Sequence, residues 1–475
     1  MLMITSRFIY LGLTLVLVGC DGKHGAETRP GAAVPAPVLR TNLPAEIQNL
    51  IRQREQFSLA FAKALGVTPD RPTLEFFARA RNGELDVASR LFHDLAERGS
   101  ITNSNRPETN LTRNLFEPLV EVQLVLESQL NGGGKYAAAI GKDIARSIPE
   151  GGIFLGGNRP GRGLAAAYAT RTNGQCPFLI VSQNALSDSR HLAYLRFAYG
   201  TKAWMPTDQD SQTCLETYLE DARRRCLHDS AFPAEPRQLK PGEDVKIVDG
   251  KAQIAGHFAV MAINGLIAKT VFDRNPDREF YVQESFPLDW MFPHLSPHDL
   301  ILKLNRQPVA ALTPDMVERD RSYWNARLRR WIGGWLTPET PVKDVCSFAE
   351  KIYMRKDYSS FEGDADFVRN DYITEIYAKL RSAQAAVYQW HIERSTSSEE
   401  KRRMIQEADF AFRQAFALRP TYAEVLFRYI NLLVSTNGLD DALLLARTSA
   451  KLEPSNAQIG QLIHELERMQ QTAPH

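Results

Sequence analysis

The chain has 475 residues, which at about 150 residues per domain is a prior of roughly three domains. Hydrophobic residues are 44% and charged residues 24%, the balance of a soluble globular protein; long disorder, a collagen-like repeat and a polytopic membrane protein are argued against. Fifty-seven Lys and Arg against 56 Asp and Glu give a formal charge of +1, so nothing points to nucleic acid as a partner.

Residues 1–20 read MLMITSRFIYLGLTLVLVGC. Arg7 precedes an apolar run from Phe8 to Val18, too short to span a bilayer comfortably and shaped like an export signal. The run ends in Leu17-Val18-Gly19-Cys20, which resembles the bacterial lipobox. That resemblance implies lipidation of Cys20, cleavage before it and a membrane anchor facing the periplasm. Each buried acyl methylene contributes about 0.8 kcal/mol, so two or more chains anchor stably. Asp21 leans towards the inner membrane, with inner and outer left open. Residues 21–43, with Pro30, Pro35 and Pro37 among Gly and Ala, read as a flexible tether.

From residue 44 to 149 the pattern is helical. Ile47, Leu50, Ile51, Leu59, Phe61 and Leu65 recur at near-helical spacing before Gly66. Two short helices break at Asn82-Gly83, another spans 114–130, and Asn131-Gly132-Gly133-Gly134 precedes one more. Residues 150–315 alternate strand and helix. GGIFLGG and PFLIVS read as buried strands, each followed by a helix, which predicts βαβ units and a parallel or mixed sheet. Asp249-Gly250 between alternating runs marks a hairpin, and Phe280–Glu284 and Leu300–Leu304 read as further strands. Residues 316–395 form a helical connector in which Trp324, Trp331 and Trp335 share one helix face. The fold class expected is an α/β core between an N-terminal helical region and an all-α C-terminal region.

Residues 396–471 carry a recurrence. Ala408, Phe412, Ala415 and Pro420 are followed 34 residues later by Ala442, Ala446, Ser449 and Pro454, the tetratricopeptide period. Ser397-x-x-Glu400 supplies a capping box, and residues 455–471 read as a capping helix. A repeat of this kind predicts a protein partner.

Chemistry-bearing motifs are weak. Gly156-Gly157-Asn158-Arg159-Pro160-Gly161-Arg162-Gly163 lies between a strand and a helix, where backbone N–H groups and two arginines suit an anion or sugar. It fails as a P-loop, because Arg162 and Gly163 stand where Lys and Ser/Thr are required. Gln183 and Asn184 follow the second strand, so a parallel sheet brings them to the same edge as Gly157, Asn158, Arg159 and Arg162. A purely structural turn is the other reading of the segment. Asp289, His294, His298 and Asp299 are metal-ligand types, yet Pro293 and Pro297 break any helix that would space them, and no metal is expected. No GxSxG or HExxH is present, no catalytic residue is assigned, and no cofactor is expected. Cys176, Cys214, Cys226 and Cys346 remain after the leader. Cys214 and Cys226 are about 18 Å apart on one helix and cannot pair; Cys176–Cys346 stays open.

IFLGGNRPGR, PFLIVSQNALSD, FYVQESFPLDWMFPHLSPHDLILKLN and EADFAFRQAFALRP resemble the soluble C-terminal region of multi-spanning bacterial envelope proteins. Those carry a glycosyltransferase-like membrane domain of the protein O-mannosyltransferase type, then an extracytoplasmic α/β domain and tetratricopeptide repeats. The likeness covers roughly residues 150–455, without the membrane part. It implies an extracytoplasmic α/β body with repeats. The first reading of the whole chain is a lipid-anchored envelope protein acting as a ligand-binding and protein-interaction scaffold. The alternative is a glycan-modifying enzyme, or the detached soluble subunit of a membrane glycosyltransferase system.

Overall fold

The computed structural model describes residues 40–100, 115–157, 160–169, 176–240, 242–283 and 288–472. The leader with Cys20 and most of the tether lie outside them, as do Asn158 and Arg159. Among the described residues, no helix is long and apolar enough to cross a membrane.

The N-terminal helices start and stop where local chemistry requires. Helix α1 (Ala45–Ala64) buries Ile47, Leu50, Ile51 and Phe61, and Gly66, at φ +68°, turns the chain out of it. Leu59 and Leu65 instead face solvent. Asp70 caps α2 (Arg71–Arg81) by accepting from the Thr73 amide at 3.0 Å. Helices α3 (Leu85–Ser100), α4 (Phe116–Leu130) and α5 (Gly134–Ser147) follow. Helix α4 is buried over most of its surface, carrying Glu121 and Gln123 with its apolar residues.

The sheet has five strands in the order β2-β1-β5-β7-β6. Strands β1 (Ile153–Gly156), β2 (Leu179–Ser182) and β5 (Phe280–Val282) run parallel. Strand β7 (Ile301–Leu304) is antiparallel to β5 and to β6 (Leu295–His298), so the sheet is mixed. Helix α6 (Gly161–Ala169) joins β1 to β2. Helices α7 (Ser189–Tyr199), α8 (Asp208–Ala231) and α9 (Gly256–Arg274) lie between β2 and β5. Sequence reasoning missed β6 because Pro297 speaks against a strand. At the sheet's edge Pro297 pairs opposite Leu302 and its missing N–H is not needed. Strands β3 (Asp244–Val248) and β4 (Lys251–Ala255) form a separate hairpin. Asp249 and Gly250 take φ +50° and +75°, the two positive angles of a type I′ turn.

The rest is helical: α10 (Pro314–Ile332), α11 (Val342–Ala349) running into a π turn, α12 (Ala365–Arg369), α13 (Asp371–Arg394), α14 (Ser398–Leu418), α15 (Ala423–Ser435), α16 (Leu439–Leu452) and α17 (Ala457–Thr472). Ser397 caps α14 by accepting from the Glu400 amide, while the Glu400 carboxylate turns to Arg403, so only half of the capping box forms. Trp324 and Trp331 are buried in α10, but Gly333, at φ +89°, ends the helix. Trp335 therefore sits beyond it, not on its face.

One apolar core runs without interruption from Leu43 to Leu466. Between the sheet and the C-terminal helices it encloses a polar tie. Arg381 of α13 pairs with Asp320 of α10 at 2.7 Å, both side chains fully buried, and its Nε donates to Gln414 of α14 at 2.7 Å. Gln384 donates to the carbonyls of Asp299 and Ile301 at 2.8 and 3.2 Å, fastening α13 to the start of β7.

Candidate functional site

The carboxyl ends of β1, β2 and β5 share one edge, where an open α/β sheet places its ligands. The parallel register brings Gly157 beside Gln183 and Asn184, and Gln283 follows β5 there. The antiparallel β6–β7 turn adds His298 and Asp299 to the same edge.

Three glycines of the 156–163 segment have packing reasons. A Cβ on Gly156 would stand 2.9 Å from the Cβ of Arg162. One on Gly161 would stand 2.8 Å from the Gln283 amide, and one on Gly163 2.9 Å from the Glu121 carbonyl. These glycines let α6 press against α4 and the end of β5.

That packing decides where Arg162 goes. It is 1% exposed and its Nη1 donates to Glu117 in the first turn of α4. The other oxygen of Glu117 lies 3.3 Å from His191 Nδ1, in the first turn of α7. One turn further along α4, Glu121 accepts from Arg54 of α1 and from the Tyr194 hydroxyl at 3.0 Å. His191 stacks on Tyr194 with centroids 5.9 Å apart. Burial pushes the Glu117 carboxyl up, but Arg162 and His191 pull it down harder, to well below the usual carboxylate range. Two arginines and two glutamates are thus matched inside the protein. The expectation of Arg162 as an outward-facing anion clamp is corrected: its charge is already used.

Gln183 is buried in the short 3₁₀ turn after β2. The Asn184 carbonyl accepts from Asn264 at 2.8 Å, and the Ser187 amide donates back to Asn264 at 2.6 Å. Asp188 caps α7 through the Arg190 amide. Among the described residues, five buried atoms near this edge carry no hydrogen-bond partner: Arg162 Nε, both ring nitrogens of His191, Asn184 Oδ1 and Gln283 Oε1.

The four metal-ligand types scatter. His298 Nε2 lies 3.0 Å from the Ser147 carbonyl, and Asp299 accepts from the Ser147 hydroxyl at 3.0 Å. His294 Nδ1 meets the Asn305 carbonyl at 2.8 Å, and Asp289 pairs with Lys240. No group of three His, Cys, Asp or Glu able to hold a metal occurs among the described residues. Cys176, Cys214, Cys226 and Cys346 are all free thiols, so the open Cys176–Cys346 pairing does not form.

Sequence reasoning missed Glu117, Glu121, His191 and Gln283. One signal was present: Glu117 and Glu121, four residues apart in the largely apolar first half of the helix 116–130, face the same way and demand buried partners. Comparison with models of protein families, with curated proteins and with solved structures returns no match.

Proposed function

We propose that the chain is an exported, lipid-anchored scaffold of the bacterial cell envelope, held at Cys20 and docking a protein partner on helices α14–α17. The observation that carries this reading is the register of small residues in those helices. Ala408, Ala415, Ala442 and Ala446 have no exposed surface, as tetratricopeptide helix crossings require. Phe412 stacks on Tyr429 at 5.7 Å, and the Pro420 carbonyl accepts from Ser449 at 3.0 Å. Pro454, the second proline of the recurrence, is exposed near the end of the array. The Arg381–Asp320 tie supports the reading further, since a rigid junction holds a docked partner at a fixed place relative to the sheet.

Two experiments test it. A photo-crosslinking residue at exposed Asn431 or Gln461 is expected to capture one discrete partner in the native envelope, and one at exposed Lys246 of the hairpin none. The same products at all three positions contradict the docking. For the anchor, Cys20→Ser is expected to abolish labelling by a palmitate analogue, and unchanged labelling contradicts it.

The second reading, a glycan-modifying enzyme, has one observation in its favour. The Glu117 carboxylate lies 3.3 Å from His191 Nδ1, the neighbour a general base needs, but among the described residues neither ring nitrogen makes a hydrogen bond. His191 is 5% exposed, however, so a substrate reaches it only after local opening. On the enzyme reading the full chain modifies glycans and His191→Asn abolishes this in protein that stays folded by circular dichroism; on the scaffold reading neither protein modifies glycans.

A further inference from the structure

A different site is open. Where α10 ends, a shallow pocket of about 530 Å³ is lined by Arg329, Gly333, Gly334, Trp335 and Glu362, a volume in the range of small-molecule sites. Arg329 and Glu362 are both exposed, and neither has an ion-pair or hydrogen-bond partner among the described residues. Opposite charges lining one pocket, each without a partner, differ from the neighbouring surface, where Lys135 pairs with Asp364 and Arg369 with Asp366.

Trp335 is held in place before any ligand arrives. Its Nε1 donates to the Ile332 carbonyl at 2.9 Å, and its ring packs on Phe348 with centroids 4.5 Å apart. The loop after it is closed by Thr340, whose hydroxyl bonds to the Trp335 carbonyl and the Thr337 amide. Gly333 and Gly334 leave the wall free of side chains, so a ligand can approach the backbone and Trp335 together.

We propose that this pocket is a saccharide subsite, taking one neutral pyranose ring. The pocket's charges sum to zero: an anion would meet Glu362 and a cation Arg329. A neutral ligand rich in hydroxyls satisfies both, because hydroxyls accept from the guanidinium and donate to the carboxylate. The partly positive C–H groups on one side of a pyranose are attracted by the negative face of an indole, and the rigid Trp335 presents its surface at little entropic cost. The buried Arg162 edge offers none of this, since its charges are paired with one another. The subsite is independent of partner docking on α14–α17, and its test does not involve that array.

The test is saturation-transfer NMR on the full chain with methyl β-D-glucopyranoside and N-acetylglucosamine, with alanine as a zwitterion control. Transfer to the ring protons of at least one sugar is expected, with a millimolar Kd. Gly334→Val fills the pocket from an exposed position whose Cβ has only ordinary contact, 3.7 Å from Arg329 Nε, and should abolish the transfer. Arg329→Ala, also exposed, should weaken it about tenfold, the loss of roughly one charge-assisted hydrogen bond. Circular dichroism should be unchanged in both. No transfer at tens of millimolar, transfer that survives either variant, or transfer to alanine alone overturns the proposal.

Discussion

Two glycine-containing segments, 156–163 and 333–334, look alike on paper, each with an arginine close by, and their physics is opposite. In the first, the glycines at 156, 161 and 163 admit a neighbouring helix or strand to within contact, and Arg162 is drawn inward to Glu117. In the second, the contacts are no closer than ordinary van der Waals distance: a Cβ on Gly334 would meet only the Arg329 side chain, at 3.7 Å or more, and one on Gly333 would meet Trp335 at 3.5 Å. Glycine next to arginine is therefore no signature of a ligand loop. What separates the cases is a carboxylate 45 residues earlier in the chain, and only folding brings it near.

The largest expected effect lies on the arginines. Arg162→Ala strands a buried Glu117 carboxylate and should cost about 3–5 kcal/mol, whereas Arg329→Ala should stay within about 0.5 kcal/mol. Urea denaturation of the two variants measures the gap, and equal effects would break the comparison. The glycines come next. Gly163→Ala forces a Cβ to 2.9 Å from the Glu121 carbonyl and should cost about 1–3 kcal/mol. Gly334→Ala should be neutral or stabilise by up to about 1 kcal/mol, by restricting the unfolded chain.

The narrowest contrast is in pH. Because the folded-state pKa of Glu117 is depressed, its stabilisation is fully present above the unfolded value near 4.3 and is lost as pH falls below it. Glu117→Gln should therefore be less stable than the wild type at pH 7, with the gap narrowing below about pH 4. Thermal melts from pH 7 to pH 3 would show it, and a gap independent of pH would mean that the carboxylate's charge contributes nothing.

Local features were legible in the sequence. Asp249-Gly250 dictated its hairpin because a two-residue turn depends on its own φ angles. Gly66 and Gly83 ended their helices for the same reason. The buried small residues of α14 and α16 followed from spacing alone. Non-local features were not legible. Pro297 hid β6, since whether a proline suits a strand depends on its being at the edge, and edge position is a property of the whole sheet. Arg162 read as an exposed ligand group because its partner Glu117 is 45 residues away in the sequence. Trp335 was assigned to α10 on spacing that Gly333 cancels. Leu59 and Leu65 fit the helix period of α1, but its core-facing stripe is narrower than the period suggests.

A double-mutant cycle on Arg162 and Glu117 tests most directly whether this edge is a closed, self-paired device. Arg162→Met and Glu117→Gln should each be strongly destabilising, and the double variant should recover a large part of the loss. The coupling energy should then lie in the upper part of the 0.5–3 kcal/mol range for contacting residues. Additive losses, with coupling below about 0.5 kcal/mol, would contradict the account and leave Arg162 free to serve a ligand.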